Sequence, residues 1–95
     1  MAEPRYILES YSRSHPQEVL IVEIASPAEN DQVMIFKGFS SSLRFATAPD
    51  PDIPVIPDGA EILKIDRLLA PYQPRSPRYI QQNLTWAEFL RSCLG

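Results

Sequence analysis

Between Glu18 and Phe39 the chain carries two dense apolar runs, EVLIVEIA and QVMIFKGF, separated by the polar stretch SPAEND. Their β-branched content and the polar turn between them predict a β-hairpin. In the first run Val19 and Ile21 point one way while Leu20, Val22 and Ile24 point the other. A strand that is apolar on both faces belongs in the centre of a sheet, so both sides of that sheet need cover. In the second run Val33, Ile35, Lys37 and Phe39 alternate with Gln32, Met34 and Phe36, which predicts one strand from Gln32 to Phe39.

A third strand is expected over Glu61 to Leu69, EILKIDRLL, opened by the turn Pro57-Asp58-Gly59 and closed by Pro71. Ile62, Ile65 and Leu69 also fit a helical spacing, but β-branched content and brevity favour the strand. RYILESYS, Arg5 to Ser12, fits two templates: Ile7, Leu8 and Tyr11 suit a short helix, whereas Tyr6 and Leu8 opposite Ile7 and Glu9 suit a strand. The strand is preferred, with Ser14-His15-Pro16-Gln17 as the turn that follows.

The sharpest local signal lies in LTWAEFLRSCLG. Thr85 and Glu88 make a Thr-x-x-Glu capping box, and Leu84 and Phe89 hold the two positions of a hydrophobic staple. A helix over about residues 86–94 follows, with Trp86, Phe89, Leu90, Cys93 and Leu94 forming an apolar stripe that must pack on something. Too short to persist alone, it needs the sheet beneath it. The predicted architecture is α+β: a small antiparallel sheet of three or four strands, or a partly closed barrel, with one C-terminal helix.

Length and composition narrow the class without changing that picture. At 95 residues, 44% apolar and 22% charged, the chain suits one soluble globular domain over residues 1–95. Proline is the outlier: ten residues, seven of them between Pro49 and Pro77. A proline fixes φ and removes a backbone donor, so a long irregular connection is expected over about residues 40–60, and ordered loops of that length are often functional. No apolar run approaches the ~18 residues that span a bilayer, and MAEPRYILES lacks the basic start and apolar core of a signal peptide. A cytoplasmic protein with no membrane insertion is the expectation. Cys93, the only cysteine, excludes an internal disulfide and suits a reducing compartment.

The stock of catalytic groups is thin. His15 is the sole histidine, in a turn-like Ser-His-Pro, and reads as a solvated turn residue, so no histidine-rich metal site is available. Asp50 and Asp52 in PDPD lack the further oxygen ligands and the glycine of a calcium loop, and read as turn caps. FKGFSSSL sets a lysine, a glycine and three hydroxyls in a row but lacks the glycine spacing of a phosphate loop. Ser40 to Ser42 are expected to bond the backbone where the strand ends, with anion capture beside Arg44 as the alternative. Neither a metal nor a cofactor is expected.

YQPRSPRYIQQN, Tyr72 to Asn83, stands apart, because with Arg67 it gives three arginines and no acid up to Gln82 in a chain of net charge -3. Arg and Tyr are enriched at interface hot spots, and proline lowers the ordering cost of binding. A plain reading is a semi-extended linker whose tyrosines pack on the core and whose arginines pair with nearby acids. Ser76 before Pro77, between Arg75 and Arg78, also has the look of a modification site.

DQVMIFKGFSSSL, ATAPDPDIPVIPDGAEILKIDRL and PRYIQQNLTWAEF together resemble a small family of uncharacterised proteins from cyanobacteria with relatives in plant plastids. The resemblance covers about Pro16 to Leu90 and contains no catalytic motif. It implies a soluble protein of a photosynthetic cell, an accessory factor of a larger assembly, and it supplies no binding residues.

The functional expectation is therefore a non-enzymatic adaptor that binds another protein, with Arg44, Arg67, Tyr72, Arg75, Arg78 and Tyr79 as candidate contacts. A small-barrel binder of single-stranded nucleic acid through the same strip is the alternative, opposed by the acidic pI near 5. An enzyme ranks third. A homodimer that pairs edge strands is a further option.

Overall fold

The two hairpin strands form as expected, and they organise everything else. In the computed structural model, which describes residues 4–25, 30–42, 56 and 60–93, β1 (Glu18–Ile24) pairs antiparallel with β2 (Asp31–Phe36). Strand β4 (Ile62–Leu69) flanks β1 on its other side, as the pattern predicts for a central strand apolar on both faces. Leu20 stands opposite Ile35, and Val22 opposite Val33 and Ile65, so these side chains share one face. Val19 and Ile21 turn to the other face with Leu68.

The sheet has five strands and lies open, with order β3-β2-β1-β4-β5, where three or four strands or a partly closed barrel were expected. Two departures account for the difference. The expected strand from Gln32 to Phe39 breaks at Lys37-Gly38, both at positive φ (52° and 85°), and the chain returns as β3 (Phe39–Ser42). A two-residue turn with both φ positive matches the twist of a hairpin. Lysine is an uncommon first residue there, which hid the turn from the sequence pattern. Gly38 is required twice over, by its φ and because a Cβ would meet Arg13 Nε at 2.8 Å. The hydroxyl run Ser40 to Ser42 therefore lies in a strand and not in a loop beyond one.

The second departure is β5 (Tyr79–Leu84), which takes the end of the proline–arginine strip into the sheet beside β4. Its pattern is nearly all polar or exposed, as an edge strand allows, and its pairing shifts register twice.

The N-terminal segment is a helix, α1 (Pro4–Ser14), and not the preferred strand. Exposure shows the period: Tyr6 is 54% exposed whereas Leu8 is fully buried, which a strand placing both on one side would not give. Leu8, Tyr11 and Ser12 make the buried stripe, at i, i+3 and i+4. Ser12 was the misleading member, because its hydroxyl is buried against β2–β3, where it accepts from Gly38 N at 3.2 Å. Pro4 fits the first helical position, where its missing donor costs nothing.

The C-terminal helix, α2 (Trp86–Cys93), starts where the capping box places it. Thr85 N donates to Glu88 Oε1 at 3.0 Å and Glu88 N donates to Thr85 Oγ1 at 3.1 Å. Phe89 is fully buried, and with Leu8, Tyr11, Leu84 and the inner residues of β1, β2 and β4 it closes the main core under both helices. Among the described residues the opposite face carries the smaller cluster of Val19, Ile21 and Leu68, with Met34, Phe36, Ala70 and Tyr72 packed around it. Of the long connection expected over 40–60, Ile56 is buried in the main core, and 43–55 and 57–59 lie outside the described residues, Asp50 and Asp52 among them.

Candidate functional site

Arg67 and the strip that follows it have opposite fates. Leu20 is the partner of Arg67 in the register, so the arginine projects toward the helix-covered side. There its Nε donates to Glu18 Oε1 at 3.0 Å and one terminal nitrogen donates to Glu18 Oε2 at 3.1 Å, a two-pronged pair. Its other terminal nitrogen donates to Gln81 Oε1 on β5. Tyr11 Oη donates to Glu18 Oε1 at 2.8 Å, so α1, β1 and β4 meet at one carboxylate, and β5 joins them through Arg67.

The electrostatics follow from that geometry. Burial alone would raise the Glu18 pKa, but the hydrogen bonds from Arg67 and Tyr11 outweigh it and hold the carboxyl below its ordinary value. Burial, then the bond to ionised Glu18, pushes the Tyr11 phenol above its ordinary range, and the bond to Glu18 holds Arg67 in its charged form. His15 is not a solvated turn residue: its ring stacks on Tyr11 at 4.0 Å between centroids and 16° between planes. Its Nδ1 lies 2.8 Å from the Tyr11 carbonyl oxygen, which only accepts, so that nitrogen carries the proton. A cleft of about 330 Å³ beside this network is lined by Ser14, His15, Pro16, Gln17, Glu18, Leu69 and Ile80. Its one carboxylate already has both oxygens bonded, which makes Glu18 and Arg67 supports of the fold.

Beyond Leu69 the chain leaves the sheet through a cis Ala70-Pro71 peptide. Ala70 N donates to Gln17 O at 2.8 Å, and Leu69 N to Arg78 O at 2.8 Å, which fixes both ends of the excursion. Between them Ser76 N donates to Gln73 O at 3.0 Å and closes a turn. Tyr72 packs on the cluster of Val19, Ile21 and Leu68, and Tyr79 stands opposite Leu68 in register while remaining 46% exposed. Both tyrosines thus belong to the sheet face that carries no described helix.

Tyr72, Gln73, Pro74, Arg75 and Ser76 line a groove of about 480 Å³. Arg75, on its wall, and Arg78, two residues beyond it in the chain, are both exposed. Among the described residues neither forms an ion pair, and the one polar contact is from a terminal nitrogen of Arg78 to Ala70 O at 3.4 Å. The strip is therefore not a linker neutralised by neighbouring acids. Of the six candidate contacts, the fold places Tyr72 and Arg75 on this groove, leaves Arg78 and Tyr79 exposed just after it in the chain, and turns Arg67 inward, while Arg44 lies outside the described residues.

The other candidates resolve locally. Ser40 Oγ donates to Glu9 Oε2 at 2.8 Å, so a carboxylate of α1 takes the hydroxyl that anion capture would need. Among the described residues no three His, Cys, Asp or Glu side chains are grouped to hold a metal ion. Nothing in the local sequence marks Glu18 and Gln81 as the partners of Arg67, because neither neighbours it in the chain and their meeting depends on strand order.

Among the described residues no helix is long and apolar enough to cross a membrane. No curated protein and no solved structure matches the chain. Residues 5–93 match a family model described as a domain of unknown function, DUF7734, and the chain belongs to that family.

Proposed function

We propose that the chain is a non-enzymatic adaptor that binds another protein at the groove beside Tyr72, Arg75, Arg78 and Tyr79. The observation that carries this reading is the pair of exposed arginines with no carboxylate partner among the described residues, set against an apolar-walled groove. Unpaired guanidiniums favour an acidic segment, and the groove and tyrosines favour one that carries an apolar side chain. Two arginines neutralise few phosphates, which makes nucleic acid the weaker occupant. Strand β5 is a poor template for self-pairing, since it shifts register twice and holds Asn83 at φ 58°, features that blunt a sheet edge. The resemblance to cyanobacterial and plastid proteins favours an accessory role in a larger assembly of a photosynthetic cell, in a cytoplasm-like reducing compartment.

The test is recovery of the tagged protein and of an Arg75→Ala/Arg78→Ala variant from the cell of origin, each with and without nuclease. One defined nuclease-resistant complex on the native chain, lost from a variant that keeps its circular dichroism and melting profile, is the expected result. Equal recovery by the variant rejects the site, and recovery that disappears with nuclease moves it to nucleic acid.

A further inference from the structure

Ser76 closes the turn that walls the groove, with Pro74 and Arg75 at its tip, and is exposed, followed by Pro77 and flanked by the exposed Arg75 and Arg78. Its backbone is fixed by the bond from Ser76 N to Gln73 O. Among the described residues no hydrogen bond occupies its hydroxyl and no carboxylate neutralises either arginine. An exposed serine followed by proline is the pattern a proline-directed protein kinase recognises, and adjacent guanidiniums are what a phosphate recruits.

We infer that Ser76 is a phosphorylation site whose phosphate is held by Arg75 and Arg78, converting the strip from a positive surface to a nearly neutral one. In the transfer, Ser76 Oγ attacks the terminal phosphorus of a nucleoside triphosphate, the bond from that phosphorus to its bridging oxygen breaks, and the nucleoside diphosphate leaves. The hydroxyl proton passes to the kinase. The product carries a charge of about −1.5 to −2 at neutral pH and three acceptor oxygens, enough to engage both guanidiniums. That engagement withdraws them from any acidic segment. The modification site and its clamp stand on the turn alone, whereas the consequence for a partner rests on the adaptor reading.

The experiment treats the folded full chain with a proline-directed serine/threonine kinase and ATP, alongside Ser76→Ala and a synthetic peptide of residues 72–79. Intact mass should show one added phosphoryl group on the native chain and none on the alanine variant. Phosphorus NMR should then place the second phosphoserine ionisation below its ordinary value of about 6, and the Arg75→Ala/Arg78→Ala protein should return it there. Modification of the peptide but not of the folded chain would overturn the site, and an unchanged titration in the double variant would overturn the clamp. As a last readout, a glutamate-rich peptide with a central tryptophan should bind the phosphorylated chain on the order of tenfold more weakly than the unmodified one, the scale of lost charge-assisted contacts. Equal binding of that probe to both forms would overturn the switch. Absence of binding to either, with the mass and titration results as expected, would instead reject the acidic-segment reading and leave the phosphorylation site standing.

Discussion

Arg67 and Arg75 stand on either side of one strand end, and their surroundings are opposite. Arg67 lies on the side of the sheet covered by both helices, paired two-pronged with Glu18 and braced by Gln81. Arg75 lies in solvent at a groove with no acid against it among the described residues. A guanidinium that finds its carboxylate inside the fold contributes to holding that fold, and one that finds none remains available to something else. The same division runs through the described residues: the helix-covered face is filled mainly by aliphatic residues and closed by Phe89, while the other face has a three-residue core with aromatic side chains at its margin.

If stability resides on the covered side, Phe89→Ala should show the largest loss, about 3–5 kcal/mol by urea denaturation, because it empties the largest fully buried position. Against a typical total of about 5–15 kcal/mol, that variant should be close to unfolding. Arg67→Ala should follow at about 2–3 kcal/mol, since it strands a Glu18 side chain that is only 14% exposed.

The same pair predicts a pH dependence. The Glu18 carboxyl is held below its ordinary 4.5 in the fold, so the unfolded chain binds its proton first as pH falls. Its contribution is present above 4.5 and is lost as pH drops through the lower folded value, and Glu18→Gln should remove that part of the acid sensitivity. Thr85→Ala, which removes one half of the capping box, should lose about 1 kcal/mol. Arg75→Ala/Arg78→Ala should stay within about 0.5 kcal/mol of the native chain. A larger loss there would mean that the strip braces the fold, and would erase the contrast with Arg67.

What could be read from the chain was whatever had its cause within a few residues. The capping box and apolar stripe of LTWAEFLRSCL specify α2 locally, and the two-sided apolar pattern of EVLIVEI specifies a central strand. The unusual charge of YQPRSPRY likewise marks the strip whatever lies around it. Helix α1 was hidden because one member of its buried stripe is Ser12, whose burial is tolerable only with Gly38 N as its partner. The β2–β3 turn was hidden by Lys37, and β5 by the absence of any apolar alternation in YIQQN.

By itself the sequence determined the α+β class, the central hairpin, the C-terminal helix and the presence of an arginine–tyrosine strip. Only the tertiary structure decided which arginines of that strip have a carboxylate partner among the described residues. Glu18 and Arg67 meet because β1 and β4 lie side by side, and Gln81 joins them because β5 takes the edge. Hydrophobic periodicity fixes which way a side chain points relative to its own strand, whereas a charge finds its partner by strand order, which is set by how the whole sheet and its two helices bury one another.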